Sequence, residues 1–140
     1  MNEPQLIVSR FTELVESGKP DLALNYLSPD IIYNSWMGVI EGKDNVINFL
    51  RDNIRFSHHR RNYERWRVVQ HSLEACLWDA GANRRPIFNH NGYDPHGTAT
   101  FERNGTLFAR PGALSERIYV KETVVVKDGL IILVNVSKRL

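Results

Sequence analysis

Hydrophobic and polar positions change period along this chain, from helical spacing at the start to alternation at the end. Leu6, Ile7, Arg10, Phe11, Leu14 and Val15 recur at helical spacing and predict a first helix from about Glu3 to Ser17. Asn2 can cap it, Pro4 fits its first turn, and Gly18 stops it. Pro20 restarts a short helix over Asp21–Leu27, with Leu22, Tyr26 and Ala23 turned inward, and Ser28-Pro29-Asp30 breaks it because proline disfavours helical geometry in the residue before it. Ile31–Trp36 reads as a strand, and Val39–Gly42 as a short strand or bend. Lys43 or Asp44 opens a third helix with a stripe of Val46, Ile47, Leu50 and Ile54 that ends near Asn53–Phe56.

Beyond this point the pattern weakens. Trp66–Leu73 alternates as a strand does, whereas Asn, Gly, Pro and His dominate Asp79–Gly97 and predict a long loop. Thr98–Ala109 is strand-like, but the turn dipeptide Asn104-Gly105 leaves it open as one strand or two. The clearest element is the last, Glu116–Arg139, where β-branched runs flank Asp128-Gly129 and a two-residue turn of that composition wants φ > 0 at both positions. A regular ladder from that turn sets Val126 against Ile131, Val124 against Leu133, Glu122 against Asn135 and Val120 against Ser137. Tyr119, Lys121, Thr123, Val125, Ile132, Val134 and Val136 then share the other face.

Composition narrows the class without naming a reaction. The chain has 140 residues, 42% of them hydrophobic, enough for one domain with a core of its own. Eighteen basic and 16 acidic residues leave a net charge of +2, which supplies no global pull toward nucleic acid or anionic membrane. The basic run Arg51–Arg67, with Phe56, Tyr63 and Trp66, could stack on bases, but such runs are most often solvated faces, and no nucleic-acid partner is expected. Cys76 is alone, so no internal disulfide can form. The start lacks the pattern of a signal peptide and no stretch is long enough to span a membrane, so a cytoplasmic protein is expected. Glu41-Gly42-Lys43-Asp44 is too short for a phosphate loop. His90, Asp94 and His96 match no rigid ligand spacing. Neither a cofactor nor a metal is expected.

Helix, helix, strand, bend, helix and then several strands ending in a hairpin argue for an α+β fold with a segregated antiparallel sheet. Phe11–Leu50 resembles the opening of a SnoaL-like domain of the nuclear-transport-factor-2-like superfamily. The paired helices, Leu27-Ser28-Pro29-Asp30-Ile31, the bend at Gly38 and Glu41-Gly42-Lys43-Asp44 carry the resemblance, together with the closing Val126–Ile131. It covers roughly half the chain; Arg60–Gly97 shows none of it. The resemblance implies a cone-shaped roll, in which three N-terminal helices pack in a strongly bent sheet around an apolar pocket. The superfamily includes ketosteroid isomerases, polyketide cyclases, scytalone dehydratases, limonene epoxide hydrolases and binding-only modules, so the fold does not dictate a function.

One comparison with the family is negative. Where ketosteroid isomerases carry a carboxylate base on the first strand, the matching residue is Asn34, and a carboxamide cannot take a proton from carbon. The closing hairpin offers Glu122 with Asn135, a polar pair within an apolar pocket if their face is concave. The alternative is that Glu122 pairs with Lys121 or an arginine at a sheet edge or a dimer interface. His71 is a further acid–base candidate. Tyr33, Trp36, Trp66 and Phe101 are candidate substrate contacts, with Tyr33 and Trp36 where the resemblance puts the mouth of the cone. Two functions are expected from this: acid–base chemistry of the isomerase, cyclase or dehydratase type on a small apolar molecule, or a non-catalytic homodimer that associates through the outer sheet face.

Overall fold

The computed structural model describes residues 3–57, 61–69, 98–108 and 117–139. Helix α1 spans Glu3–Glu16, a 3₁₀ helix follows over Pro20–Tyr26, and α2 spans Lys43–Ser57. The strands are β1 (Leu27–Ser35), β2 (Gly38–Glu41), β3 (Arg61–Tyr63), β4 (Arg67–Val69), β5 (Thr98–Phe108), β6 (Arg117–Lys127) and β7 (Leu130–Lys138). They form one curved, open sheet in the order β2-β1-β7-β6-β5-β3, with β4 also on β5, and the fold is α+β as expected. Every pair is antiparallel except β1 on β7, so the expected antiparallel sheet is in fact mixed.

The helices cover one face of the sheet. Val8, Phe11 and Val15 of α1 and Val46, Ile47 and Leu50 of α2 join Phe101, Val120, Val124, Val126, Val134 and Val136 in one core. The stripe on α1 is therefore rotated from the expected one. Val8 is fully buried, while Leu6 and Arg10 are exposed. In the 3₁₀ helix the small Ala23 is inward as expected, but Leu22, expected inward, is 61% exposed. A three-residue turn brings a different residue inward from the one a 3.6-residue period selects. Strand β1 starts at Leu27, earlier than expected, because Leu27 already pairs with Ile131 before an irregularity carries the chain past Pro29.

The closing hairpin turns on Asp128 and Gly129, both at positive φ. Its register is not regular. Val126 faces Ile131, but Val125 faces Leu133, so Ile132 is an extra residue on β7. Beyond this bulge Thr123 opposes Asn135 and Glu122 opposes Val136. A shift of one residue sends each side chain to the opposite face. Val134 and Val136 thereby move onto the helix side, while Leu133 and Asn135 join Thr123 and Val125 on the outer one. The expected pairing of Glu122 with Asn135 is corrected accordingly.

Asn104-Gly105 is not a turn. Strand β5 runs unbroken through it, paired with β6 along its whole length. Tyr63 of β3 lies opposite Gly105, and a Cβ at Gly105 would overlap the tyrosine ring. The glycine is needed for close approach of the ring, not for a turn.

Candidate functional site

Phe101, Arg103 and Gly105 alternate along β5 and all face the helices, so a guanidinium is placed between a core phenylalanine and the glycine that seats Tyr63. The Arg103 side chain is only 7% exposed. Its Nε donates to Glu122 Oε2 at 3.1 Å, and its Nη2 lies 3.0 Å from the same oxygen. Nη2 also donates to Glu16 Oε1 at 2.7 Å. The Arg103 Cζ sits 3.7 Å from the centre of the Tyr63 ring and 4.5 Å from that of Trp66. Burial by itself disfavours the cation, but Glu122 and then Glu16 outweigh it, and Arg103 is held in its charged form more firmly than an ordinary arginine.

Glu16 arrives at this point through helical spacing. Val8, Thr12 and Glu16 are four apart, so one face of α1 presents a core valine, a buried hydroxyl and a carboxylate in succession. The Thr12 hydroxyl donates to Val8 O at 2.9 Å and accepts from Trp66 Nε1 at 3.4 Å. Beside these groups is a shallow cavity of about 370 Å³, wide open to solvent, lined by Ser9, Thr12, Glu13, Glu16, Ser17, Trp66 and Arg103. The Glu16 side chain is 34% exposed at its wall, while Glu122, 12% exposed, is one guanidinium deeper.

Of the residues expected from sequence, Glu122 and Trp66 meet here through Arg103. Glu122 has the arginine partner that was the alternative reading, on an interior strand of the sheet and not at its edge. Asn135 is buried on the opposite face. Phe101 is fully buried in the core, and Tyr33 packs on Phe49 with ring centres 5.3 Å apart. Trp36, 37% exposed, lies at the end of β1 with Lys138 Nζ 5.3 Å from its ring centre. His71 and the HNGYDPH segment lie outside the described residues. Arg103 and Glu16 were not anticipated, although the alternation Phe101-Arg103-Gly105 and the spacing Val8-Thr12-Glu16 were the available signals.

On the outer face Glu102 bonds Arg67 at 3.2 Å and approaches Lys121 at 3.5 Å. Among the described residues no group of three or more His, Cys, Asp and Glu side chains is arranged to hold a metal ion. No helix among them is long and apolar enough to cross a membrane.

No family model and no curated protein matches the sequence. Solved structures do match the fold. An LEH-like epoxide hydrolase of M. tuberculosis is 19% identical, with a TM-score of 0.56 over 98% of this chain and 83% of that one. A putative scytalone dehydratase from Novosphingobium aromaticivorans is 10% identical, with a TM-score of 0.60 over 96% of this chain and 80% of that one. An NTF2-like protein of unknown function from Cytophaga hutchinsonii is 12% identical, with a TM-score of 0.52 over 95% and 87%. With its helices on one face of a curved mixed sheet and these likenesses along nearly its whole length, the chain has the nuclear-transport-factor-2-like fold, as the resemblance to SnoaL-like domains implied.

Proposed function

We propose that this chain binds a small molecule in the cavity beside α1 and acts on it by acid–base proton transfer of the isomerase, cyclase or dehydratase type. The observation that carries the reading is the line Glu122–Arg103–Glu16, which begins inside the sheet and ends with a carboxylate at the cavity wall. Glu16 is the group that touches substrate. It accepts a proton while the released electron pair stays on the substrate, and returns that proton to a neighbouring atom or to a departing hydroxyl, which leaves as water. Glu122 is a positioning residue: it fixes the guanidinium that fixes Glu16. Trp66, Thr12 and Ser9 shape the rest of the wall. The solved epoxide hydrolase and dehydratase structures support this by showing that proteins described as enzymes share the scaffold.

The test is a substrate screen followed by Glu16→Gln and Glu122→Gln on the first compound turned over. Glu16→Gln should abolish turnover in a folded protein, and Glu122→Gln should lower it. Wild-type turnover in folded Glu16→Gln protein overturns the assignment.

A non-catalytic dimer is the second reading. Trp36, Met37 and Val39 are exposed in and beside the edge strand β2, which favours association there. Thr123 and Val125, the centre of the outer-face surface, are already buried within one chain. Light scattering that finds only monomer at micromolar concentration would eliminate this reading.

A further inference from the structure

We infer that two copies of this chain associate edge to edge through β2, as antiparallel neighbours about a two-fold axis at Val39. The inference rests on the second reading above, gives it a contact surface and a register, and does not involve the acid–base one. Strand β2 is one edge of the sheet, and among the described residues no strand pairs with its free side. It carries no proline, lysine or bulge of the kind that blunts a sheet edge. Trp36, Met37 and Val39 are exposed around it.

The direction of each backbone group fixes what this edge can accept. Gly42 N donates to Ile31 O at 2.9 Å, so Ile31 and Gly42 occupy a hydrogen-bonded position of the ladder. Bonded and non-bonded pairs alternate along antiparallel strands, which makes Tyr33–Ile40 and Ser35–Gly38 the next bonded pairs. Gly38, Ile40 and Gly42 therefore direct their backbone groups at β1. Because the peptide bonds are trans, the C=O of Met37 and both groups of Val39 and of Glu41 point to the open side. One of these is already engaged: Glu41 O accepts from Asn45 Nδ2 at 3.0 Å. Within the turn, Met37 N donates to Ser35 Oγ at 3.2 Å.

A second copy of the same edge matches this pattern in one register. With Val39 opposite its own counterpart, the two valines exchange N–H···O bonds, and each Glu41 N–H donates to Met37 O of the other copy. Such a ladder leaves over Met37 N and Glu41 O, the two groups that Ser35 and Asn45 already satisfy. An axis at Ile40 would instead aim Val39 N–H at the engaged Glu41 O and leave Met37 O unused. Side chains favour the Val39 register too. Ile40 faces Gly38 of the other copy, with no side chain opposing it. Glu41 is carried to the other copy's turn, where Lys138 Nζ lies 5.3 Å from the Trp36 ring centre. Among the described residues neither charge has an ion pair within one chain, so the contact brings opposite charges together.

Cysteine cross-linking reads the register directly. In a Cys76→Ser background, Val39→Cys places two thiols across the axis with Cα atoms about 5.5 Å apart, within the span of a disulfide. A covalent dimer of Val39→Cys is expected under mild oxidation. Met37→Cys and Glu41→Cys should each cross-link several-fold more slowly alone, and rapidly when mixed. Val68→Cys, exposed on β4, gives the rate of random collision. Cross-linking of Val39→Cys no faster than that of Val68→Cys overturns the inference. Light scattering of the unoxidised chain supplies the second arm. A dimer at micromolar concentration is expected, and Val39→Lys should convert it to monomer at unchanged melting temperature, because two lysines would meet at the axis. Finding only monomer overturns the inference together with the second reading. A dimer that persists in folded Val39→Lys protein leaves the second reading standing and overturns the assignment of β2 as the contact.

Discussion

The ring of Tyr63 packs directly against Gly105 across the β3–β5 ladder, and from that seat its centre lies 3.7 Å from the Cζ of Arg103. The glycine therefore acts at a distance on the charged line that ends at the cavity. Gly105→Ala drives a methyl into the ring and should cost about 1–3 kcal/mol in urea denaturation, as overpacking usually does. Adding Tyr63→Ala should recover part of that loss, a coupling of about 0.5 kcal/mol or more. Strictly additive losses would separate the glycine from the ring.

Glu16 and Glu122 contribute differently to stability, although both bond the same nitrogen. Glu122→Gln removes the deeper carboxylate and leaves Arg103 with one partner, so about 1–3 kcal/mol should be lost, less than for a buried charge with no partner left. Glu16→Gln acts at the part-exposed end, where solvent screens the pair, and about 1 kcal/mol or less is expected. Chemical denaturation of the two variants checks the order, and a larger loss for Glu16→Gln contradicts it.

Alkaline pH distinguishes the guanidinium from any other cation at position 103. The folded-state pKa of Arg103 is raised, so its stabilising contribution is complete below the ordinary arginine value and is lost only as pH climbs through the still higher folded one. No loss from this group is expected through the moderately alkaline range. Arg103→Lys brings in an amine with an ordinary pKa of about 10.4 and no planar fork. The difference in melting temperature between the two proteins should widen as pH rises through that region. A constant difference would mean that the ion pairs contribute little.

Deleting Ile132 tests the bulge. Without it Leu133 follows Ile131 directly, so the ladder becomes regular with the present pairs kept: Val134 and Val136 stay in the core and Asn135 stays on the outer face. Cooperative unfolding by circular dichroism should therefore survive, with a loss of no more than about 1–3 kcal/mol. Loss of cooperative unfolding would mean that the bulge itself, and not the pairing beyond it, holds the core.

Much of this architecture was legible from local chemistry. Helical spacing marked α1 and α2, and Asp128-Gly129 located the closing turn because positive φ suits those residues. The motif order from Phe11 to Leu50 pointed to the fold, and the alternation along β6 put Glu122 on the face of Val120 and Val124. Tertiary structure decided the rest. The bulge at Ile132 has no local signal, since isoleucine suits a strand wherever it stands, yet it reverses the face of Val134, Asn135 and Val136. Asn104-Gly105 reads as a turn until the ring of Tyr63, some forty residues away in sequence, occupies the space a side chain would take. Arg103 with Glu16 is likewise a contact between distant segments, 87 residues apart. Periodicity tells which residues share a face of one element. Which charges meet depends on how those faces are brought together, and for Glu122 that made an arginine, not an asparagine, its partner.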